Sequence, residues 1–238
     1  MCLDLLPRKW GHVTVLGVGY WMRAVSDLAS AFAREKDRLC QLDGAIGDGD
    51  HGVSMMLGFT AACSKLREQR PADVGGVLNV VGHAFISSVG GVTGIIFGTL
   101  FVAAGRATAG RTEIAPHDLA VMFSSALDAV KAKGMASEGD KTMVDALAPA
   151  VASLNQAMDE GAHAAEALAR AAQSAEQGML STSAMLAQRG RARYQGDRAR
   201  GHVDAGAASI AVIFQTLAST ASSGCAGGGD GAANGIPA

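Results

Sequence analysis

The sequence predicts an all-α fold, one domain of about eight helices joined by short polar or glycine-rich loops. Three observations predict it. Apolar residues recur at helical spacing nearly throughout, and no segment shows a convincing period of two. The composition is 49% apolar and 18% charged, with long Ala- and Leu-rich stretches but only five prolines and two tyrosines, which suits helices and not a β-sandwich. Neither a domain-sized linker nor an internal repeat divides the 238 residues, which suffice for one sizeable core. The same balance excludes an intrinsically disordered chain.

Residues 1–19 read as an N-terminal extension. Trp21, Val25, Leu28, Ala29 and Phe32 mark one face of a first helix over about 20–40. A glycine-rich stretch, Gly44 to Gly52, breaks the pattern. Helical spacing resumes over about 53–70, where Pro71 closes the element. Two apolar helices follow at about 73–89 and 92–108, with Gly90-Gly91 as the turn between them. Pro116 suits the first turn of a fifth helix, about 116–133, and Gly134 its C-terminal stop. A sixth helix spans about 141–159 and a seventh about 163–188. The arginine- and glycine-rich segment Gly190–His202 is a loop, and the last helix covers about 205–222. The Gly- and Ala-rich tail 223–238 is expected to be disordered.

Two segments imitate other classes. Arg8 and Lys9 before the apolar run Val13–Met22 resemble a signal peptide, but the run is glycine-interrupted and lacks a small-x-small cleavage site. Between Asp73 and Arg106 no Asp, Glu, Lys or Arg occurs, a length that would cross a bilayer, yet glycines such as Gly75, Gly76, Gly82, Gly90, Gly91 and Gly94, with Asn79 and His83, interrupt it. No membrane span is expected. Cys2, Cys40, Cys63 and Cys225 show no C-x-x-C spacing, so neither a zinc knuckle nor a redox pair is indicated; free thiols in a reducing, cytoplasmic setting are expected. With 20 Lys plus Arg against 22 Asp plus Glu, a net charge of -2 gives no global attraction to nucleic acid.

Three loop regions carry possible chemistry. In Asp43-Gly-Ala-Ile-Gly-Asp48-Gly-Asp50-His51-Gly52, three carboxylates are spaced by glycines. Like charges this close need neutralising, and a hard divalent cation such as Mg²⁺ does so through carboxylate oxygen. The alternative is a solvated acidic turn. His51 is not needed by a hard metal and is better placed to touch phosphate or to support a ligand. In Ser87-Ser-Val-Gly-Gly-Val92-Thr93-Gly94, a glycine turn before a helix exposes backbone N–H groups to phosphate, or simply permits close packing. The third region comprises Gly139-Asp-Lys-Thr-Met143, Gly190-Arg191-Ala-Arg193-Tyr194 and Gly201-His-Val-Asp204-Ala205-Gly206. Taken singly, Asp140, Lys141 and Asp204 read as helix caps, and the arginines as a solvated loop. Together, an acidic cluster, a Gly-Thr turn and an arginine loop are the parts of a metal–nucleotide site. In an antiparallel bundle alternate loops share an end, and the connections after helices one, three, five and seven hold all of these segments.

These segments, in this order and over residues 20 to about 220, resemble the L subunit of dihydroxyacetone kinase. The resemblance implies an eight-helix antiparallel up-and-down barrel with a nucleotide site at one end, holding ADP or ATP and two Mg²⁺. It implies that Asp43, Asp48 and Asp50 are the magnesium ligands. Nucleotide contacts would fall to His51, Gly52, Val53, Ser54, Val92 and Thr93, with Gly134 and Met143 lining the adenine pocket. Arg191, Asp204, Ala205 and Gly206 would complete the site, and Arg191 would be catalytic. In the family the ketone is held covalently on a histidine of a separate K subunit. The chain carries no K-like region, so it is expected to act as half of an enzyme, with a phosphocarrier protein as a further possible partner and a homodimer left open. Ser54 stands where relatives often have Asn, Val92 where Ala or Thr is usual, Arg193 in place of Ser, and Ala205 in place of a Pro. A rival reading is an ADP-bound module that signals by docking on another protein. The donor, ATP or a phosphocarrier, and the acceptor, dihydroxyacetone or a four-carbon ketose, are not set by the sequence.

Overall fold

The helical period is realised as eight α-helices among the described residues, 15–225 of a computed structural model. They are α1 (Val18–Ile46), α2 (His51–Gln69), α3 (Val74–Ser88), α4 (Gly91–Ala107), α5 (Pro116–Gly134), α6 (Val144–Asp159), α7 (Ala164–Ser181) and α8 (Ala205–Cys225). Two-residue strands, β1 (Leu16–Gly17) and β2 (Glu113–Ile114), and 3-10 segments at Thr182–Ala184 and Arg191–Ala199 complete the chain. Residues 1–14, which begin the signal-like stretch, and tail residues 226–238 lie outside the described residues.

Each helix packs on the next in the chain and α8 packs back on α1, so the eight close an antiparallel up-and-down ring. On α1 the buried stripe holds Trp21, Val25, Leu28 and Phe32, while Ala29 is only half-buried. Aromatic rings fill the α1–α4 side: Phe32 stacks on Phe59 at 4.9 Å between centroids, and Phe85 meets Phe59 edge-on at 5.0 Å. α8 lies deepest. Its Ala207, Ala208, Ser209, Ile210 and Phe214 exclude solvent fully, and burying Phe214 alone stabilises by roughly 2–3 kcal/mol.

That depth accounts for the apolarity of α8. Over Ala205–Ser223 it is long and apolar enough to cross a membrane, but most of that stretch is buried inside the protein, as in any core helix. The charge-free run after Asp73 is divided into α3 and α4 at Val89-Gly90, and each piece is shorter than a bilayer span of about 20 residues.

Several element boundaries differ from the sequence expectation, each for a local reason. α1 continues through Gly44 to Ile46, because Ile46 is buried and the Asp43 side chain is anchored on the following turn. α6 starts at Val144, not 141, since Lys141 adopts φ +59, which an α-helix does not accommodate. α7 ends at Ser181, where the Thr182 hydroxyl donates back to the Met179 carbonyl and Lys141 captures the Thr182 carbonyl. α8 runs on to Cys225, three residues into the expected tail. The strands went unseen because two residues show no period. They pair Leu16 with Ile114, both buried, and tie the entry of α1 to the connection before α5.

The crossing of α6 on α7 is close. Pro149 lies inside α6 and cannot donate to the Asp145 carbonyl, so that oxygen faces the neighbouring helix. Gly178 of α7 passes directly over it: an added Cβ would overlap the Asp145 oxygen and stand 2.9 Å from Ala146 Cα and Pro149 Cγ. The atoms in the way are backbone and ring, which have no freedom to move aside. Gly178→Ala is therefore expected to destabilise by about 2–3 kcal/mol, a fall of roughly 5–10 °C in melting temperature. Thermal unfolding by circular dichroism checks this, and an unchanged melting curve contradicts the close crossing.

Candidate functional site

The α1–α2 turn holds the acidic cluster. Gly49, at φ +78, reverses the chain so that residues 49–51 point their amides inward. One oxygen of Asp43, at the end of α1, accepts from the N–H groups of Gly49 (2.8 Å), Asp50 (3.0 Å) and His51 (3.3 Å). Its negative charge thus sits against the amino-terminal end of α2, where unpaired amides and the helix dipole favour it. Asp48 and Asp50 are exposed. Ligand atoms of Asp43, Asp48 and Asp50 all lie within 4.8 Å of one another. The donors are all carboxylate oxygens, one Asp43 oxygen is already engaged by the backbone, and the set fits a hard divalent cation better than a soft one.

The guanidinium of Arg191 pairs directly with Asp48. Arg191 opens the 3-10 segment Arg191–Ala199 and is largely exposed. Arg193 instead stacks over the Tyr194 ring, 4.7 Å from its centroid. The turn is backed by His51, which starts α2 and is buried; its Nε2 lies 2.8 Å from the Ser209 hydroxyl of α8, and its ring packs on Phe97 of α4. Burial pushes the His51 pKa down to about 4, against the opposing pull of the Asp43 charge, so the ring is neutral at physiological pH. Gly52 is buried against the backbone of α1, Ser54 is half-buried, and Val53 faces out at 40% exposure.

Contacts join the other connections to this end. Asp140 accepts from the Ser137 amide and pairs with Arg189, so it does cap its loop. Met143 is buried at the start of α6, where a Cβ added to Gly206 of α8 would stand 3.4 Å from its Cβ. Asp204 caps α8, accepting from the Ala207 amide at 2.8 Å. Ala205 takes the first helical position, where a proline would also be accommodated. Val92 and Thr93 open α4; they are linked to the turn through Phe97 against His51, and to Gly134 at the end of α5 through Ile96. Val92 itself is 70% exposed.

Sequence reasoning missed three participants. Lys141, read as a cap, is instead fully buried, and its ammonium donates to the carbonyls of Thr182 and His202. Asp145 is buried too, accepting from the Gly139 and Thr142 amides and so shaping the loop that presents Lys141. Ser209 lies inside α8 and has no local signal. The Lys141–Asp145 spacing of one helical turn was the available clue to the first two.

Burial raises the Asp204 carboxyl from its ordinary 3.8 to about 6, with the Ala207 amide and the Lys141 charge pulling it down and the Asp145 and Asp43 charges pushing it up. The folded chain then holds this proton more tightly than the unfolded chain. That contribution to stability is complete below pH 3.8 and is lost as pH rises through about 6. In nucleotide-free protein with excess chelator, Asp204→Asn is expected to gain melting temperature relative to wild type as the pH rises across this window, and to hold a constant difference above it. A difference that does not change with pH contradicts the raised carboxyl.

Comparison with known proteins assigns the family. The profile of the DAK2 domain matches residues 45–219. Over 198 residues, 83% of this chain and 93% of the relative, the sequence is 39% identical to the Escherichia coli K12 protein named PEP-dependent dihydroxyacetone kinase, ADP-binding subunit DhaL. It is 34% identical over 205 residues, 85% of this chain and 94% of the relative, to the corresponding subunit of dihydroxyacetone kinase 2 from Listeria innocua. Among solved structures, the dihydroxyacetone kinase of C. freundii superposes with a TM-score of 0.67 at 22% identity in its native form, over 92% of this chain. Its complex with AMP-PNP and Mg²⁺ gives 0.63 at 23%. This chain spans only 38% of the native kinase's length, and at such identity the likeness establishes the shared all-α fold. The chain belongs to the DAK2-domain family, among the DhaL subunits of dihydroxyacetone kinase.

Proposed function

We propose that this chain is the nucleotide- and Mg²⁺-binding phosphotransferase subunit of a dihydroxyacetone-type kinase, passing a phosphoryl group to a short-chain ketone held on a separate K subunit. The observation that carries the reading is the meeting, at one end of the barrel, of the Asp43–Asp48–Asp50 cluster with Arg191. Asp43, Asp48 and Asp50 would hold the cation, which when bound would screen the negative charge of the phosphates. The Asp48 carboxylate that now receives the Arg191 guanidinium would stand in for phosphoryl oxygen: both present negatively charged oxygens that accept hydrogen bonds from the guanidinium fork. Arg191 would exchange one for the other and stabilise charge on the transferring group. The α4 amino terminus with Val92 and Thr93 would offer backbone N–H groups to phosphate. His51, Gly52, Val53 and Ser54 would line the phosphates, and Gly134, Met143, Asp204, Ala205 and Gly206 the rest of the nucleotide.

A partner must cover this end, because phosphoryl transfer needs an in-line acceptor shielded from water. Val92, Met135 and Tyr194, each at least 70% exposed, lie at the connections after α3, α5 and α7 and offer apolar surface suited to such a cover. The E. coli relative is named PEP-dependent, which favours a resident ADP recharged by a phosphocarrier protein over exchangeable ATP. We place the subunit in a reducing, cytoplasmic setting, in keeping with free Cys40 and Cys63.

The test mixes the purified chain, Mg²⁺, ATP or a phosphocarrier system, and dihydroxyacetone, with and without a purified K subunit. Sugar phosphorylation is expected only when the K subunit is present. In the complete system Arg191→Lys, which keeps charge but loses the planar fork, is expected to cut turnover roughly 10³-fold while nucleotide affinity changes little. Phosphorylation by the chain alone contradicts the half-enzyme reading. Equal losses of turnover and affinity reduce Arg191 to a binding residue. Nucleotide binding with no transfer in any mixture favours the docking-module alternative.

A further inference from the structure

Arg191 sits on the longest connection among the described residues, from Thr182 to Asp204, and most of its side chains between Gln188 and His202 are exposed. A solvated excursion of this kind has no core of its own to fix it. Its two ends, however, meet beneath the surface. The Lys141 ammonium donates to the Thr182 carbonyl at one end and to the His202 carbonyl at the other. Beside it, the Asp204 amide donates to the Thr182 hydroxyl at 3.0 Å, and the Gly201 amide to the Ser183 carbonyl at 2.8 Å. Between these ends the excursion is held by the Gln188 amide donating to the Asp140 carbonyl at 3.0 Å, by the pairs Arg189–Asp140 and Arg191–Asp48, and by buried Ala199.

Lys141 comes from a third element, the α5–α6 connection. Its side chain is 1% exposed and its backbone is held at φ +59, a conformation rarely adopted by a residue other than glycine. The surrounding structure fixes that conformation: both Asp145 oxygens accept backbone amides of residues 139 and 142, on either side of Lys141. Burial lowers the Lys141 pKa while the Asp204 and Asp145 charges support its protonated form. A buried cation on two carbonyls is an expensive way to fasten a loop unless its position matters.

We propose that Lys141 is the positioning residue for Arg191: it clamps the two ends of the 182–204 excursion to the α5–α6 connection and so sets where the guanidinium stands relative to the acidic turn. The ammonium acts through the loop and does not touch the reacting atoms. The proposal rests on the kinase reading for its turnover readout, and not for its other two.

Three measurements test it. In the native wild-type chain, acetylation of lysines by an N-hydroxysuccinimide ester should modify exposed Lys133 and spare Lys141; this arm needs no variant to fold. Labelling of both at similar rates overturns the clamp. In Lys141→Met, trypsin is expected to cut within residues 189–200 about tenfold faster than in wild type, with the helical barrel otherwise intact by circular dichroism. Wild-type cleavage overturns the clamp. In the complete kinase mixture, Lys141→Met should lower turnover about 10²-fold, far more than nucleotide affinity, and should add little further loss in an Arg191→Lys background. Losses that simply multiply show that Lys141 does not act through Arg191. If the wild-type mixture has no transfer activity, the kinase reading fails, while labelling and proteolysis still decide the clamp.

Discussion

The site is organised by the need to gather three carboxylates at one point and keep them there. Asp43 is held by backbone alone: three amides of the α2 start converge on one of its oxygens. This fastening lets α1 run through a glycine to Ile46, and it sets where α2 begins. Asp48 is balanced across the barrel end by Arg191, which draws the long α7–α8 connection over the turn. Asp50 is left facing solvent. Unpaired negative charge at such a point repels itself, and the arrangement persists because helix amides and a guanidinium oppose it from two sides.

The barrel makes this convergence possible. When consecutive helices run up and down in a closed ring, connections after odd-numbered helices share one end, whatever the loops contain. The chain therefore distributes chemistry over four separated segments without needing long-range strand pairing. The cost falls on α8, which closes the ring and is buried on nearly every side along its first half. Its apolarity, sufficient on length and composition to cross a membrane, follows from that position. The glycine at α7–α6 and the many alanines of α7 serve the same end, allowing helices to approach closely around a filled centre.

Much of this was legible in the sequence. Helix number and order follow from apolar period, because each helix buries one stripe; Trp21, Val25, Leu28 and Phe32 show it plainly. The acidic turn was visible because its three carboxylates and its glycines are neighbours in the chain. What was not legible depends on distant partners. Lys141 looks like a capping residue until its backbone is seen to turn left-handed and its ammonium to meet carbonyls contributed by two segments much later in the chain. The His51–Ser209 bond joins residues 158 apart, and no local pattern announces it. Helix ends failed where side chains decided them: Asp43 prolonged α1, and Thr182 with Lys141 shortened α7.

The proposed site depends on a cation, held in the acidic turn, through which the nucleotide binds. Thermal unfolding with saturating ADP, in Mg²⁺ and in excess chelator, tests it most directly, for wild type and Asp48→Ala. Ligand at about 100 times its dissociation constant stabilises by about 2.7 kcal/mol, a rise of roughly 5–10 °C for a chain of this size. The account predicts that rise for wild type in Mg²⁺, and almost none in chelator or in Asp48→Ala. An equal rise with and without Mg²⁺, or a rise retained by Asp48→Ala, would contradict it.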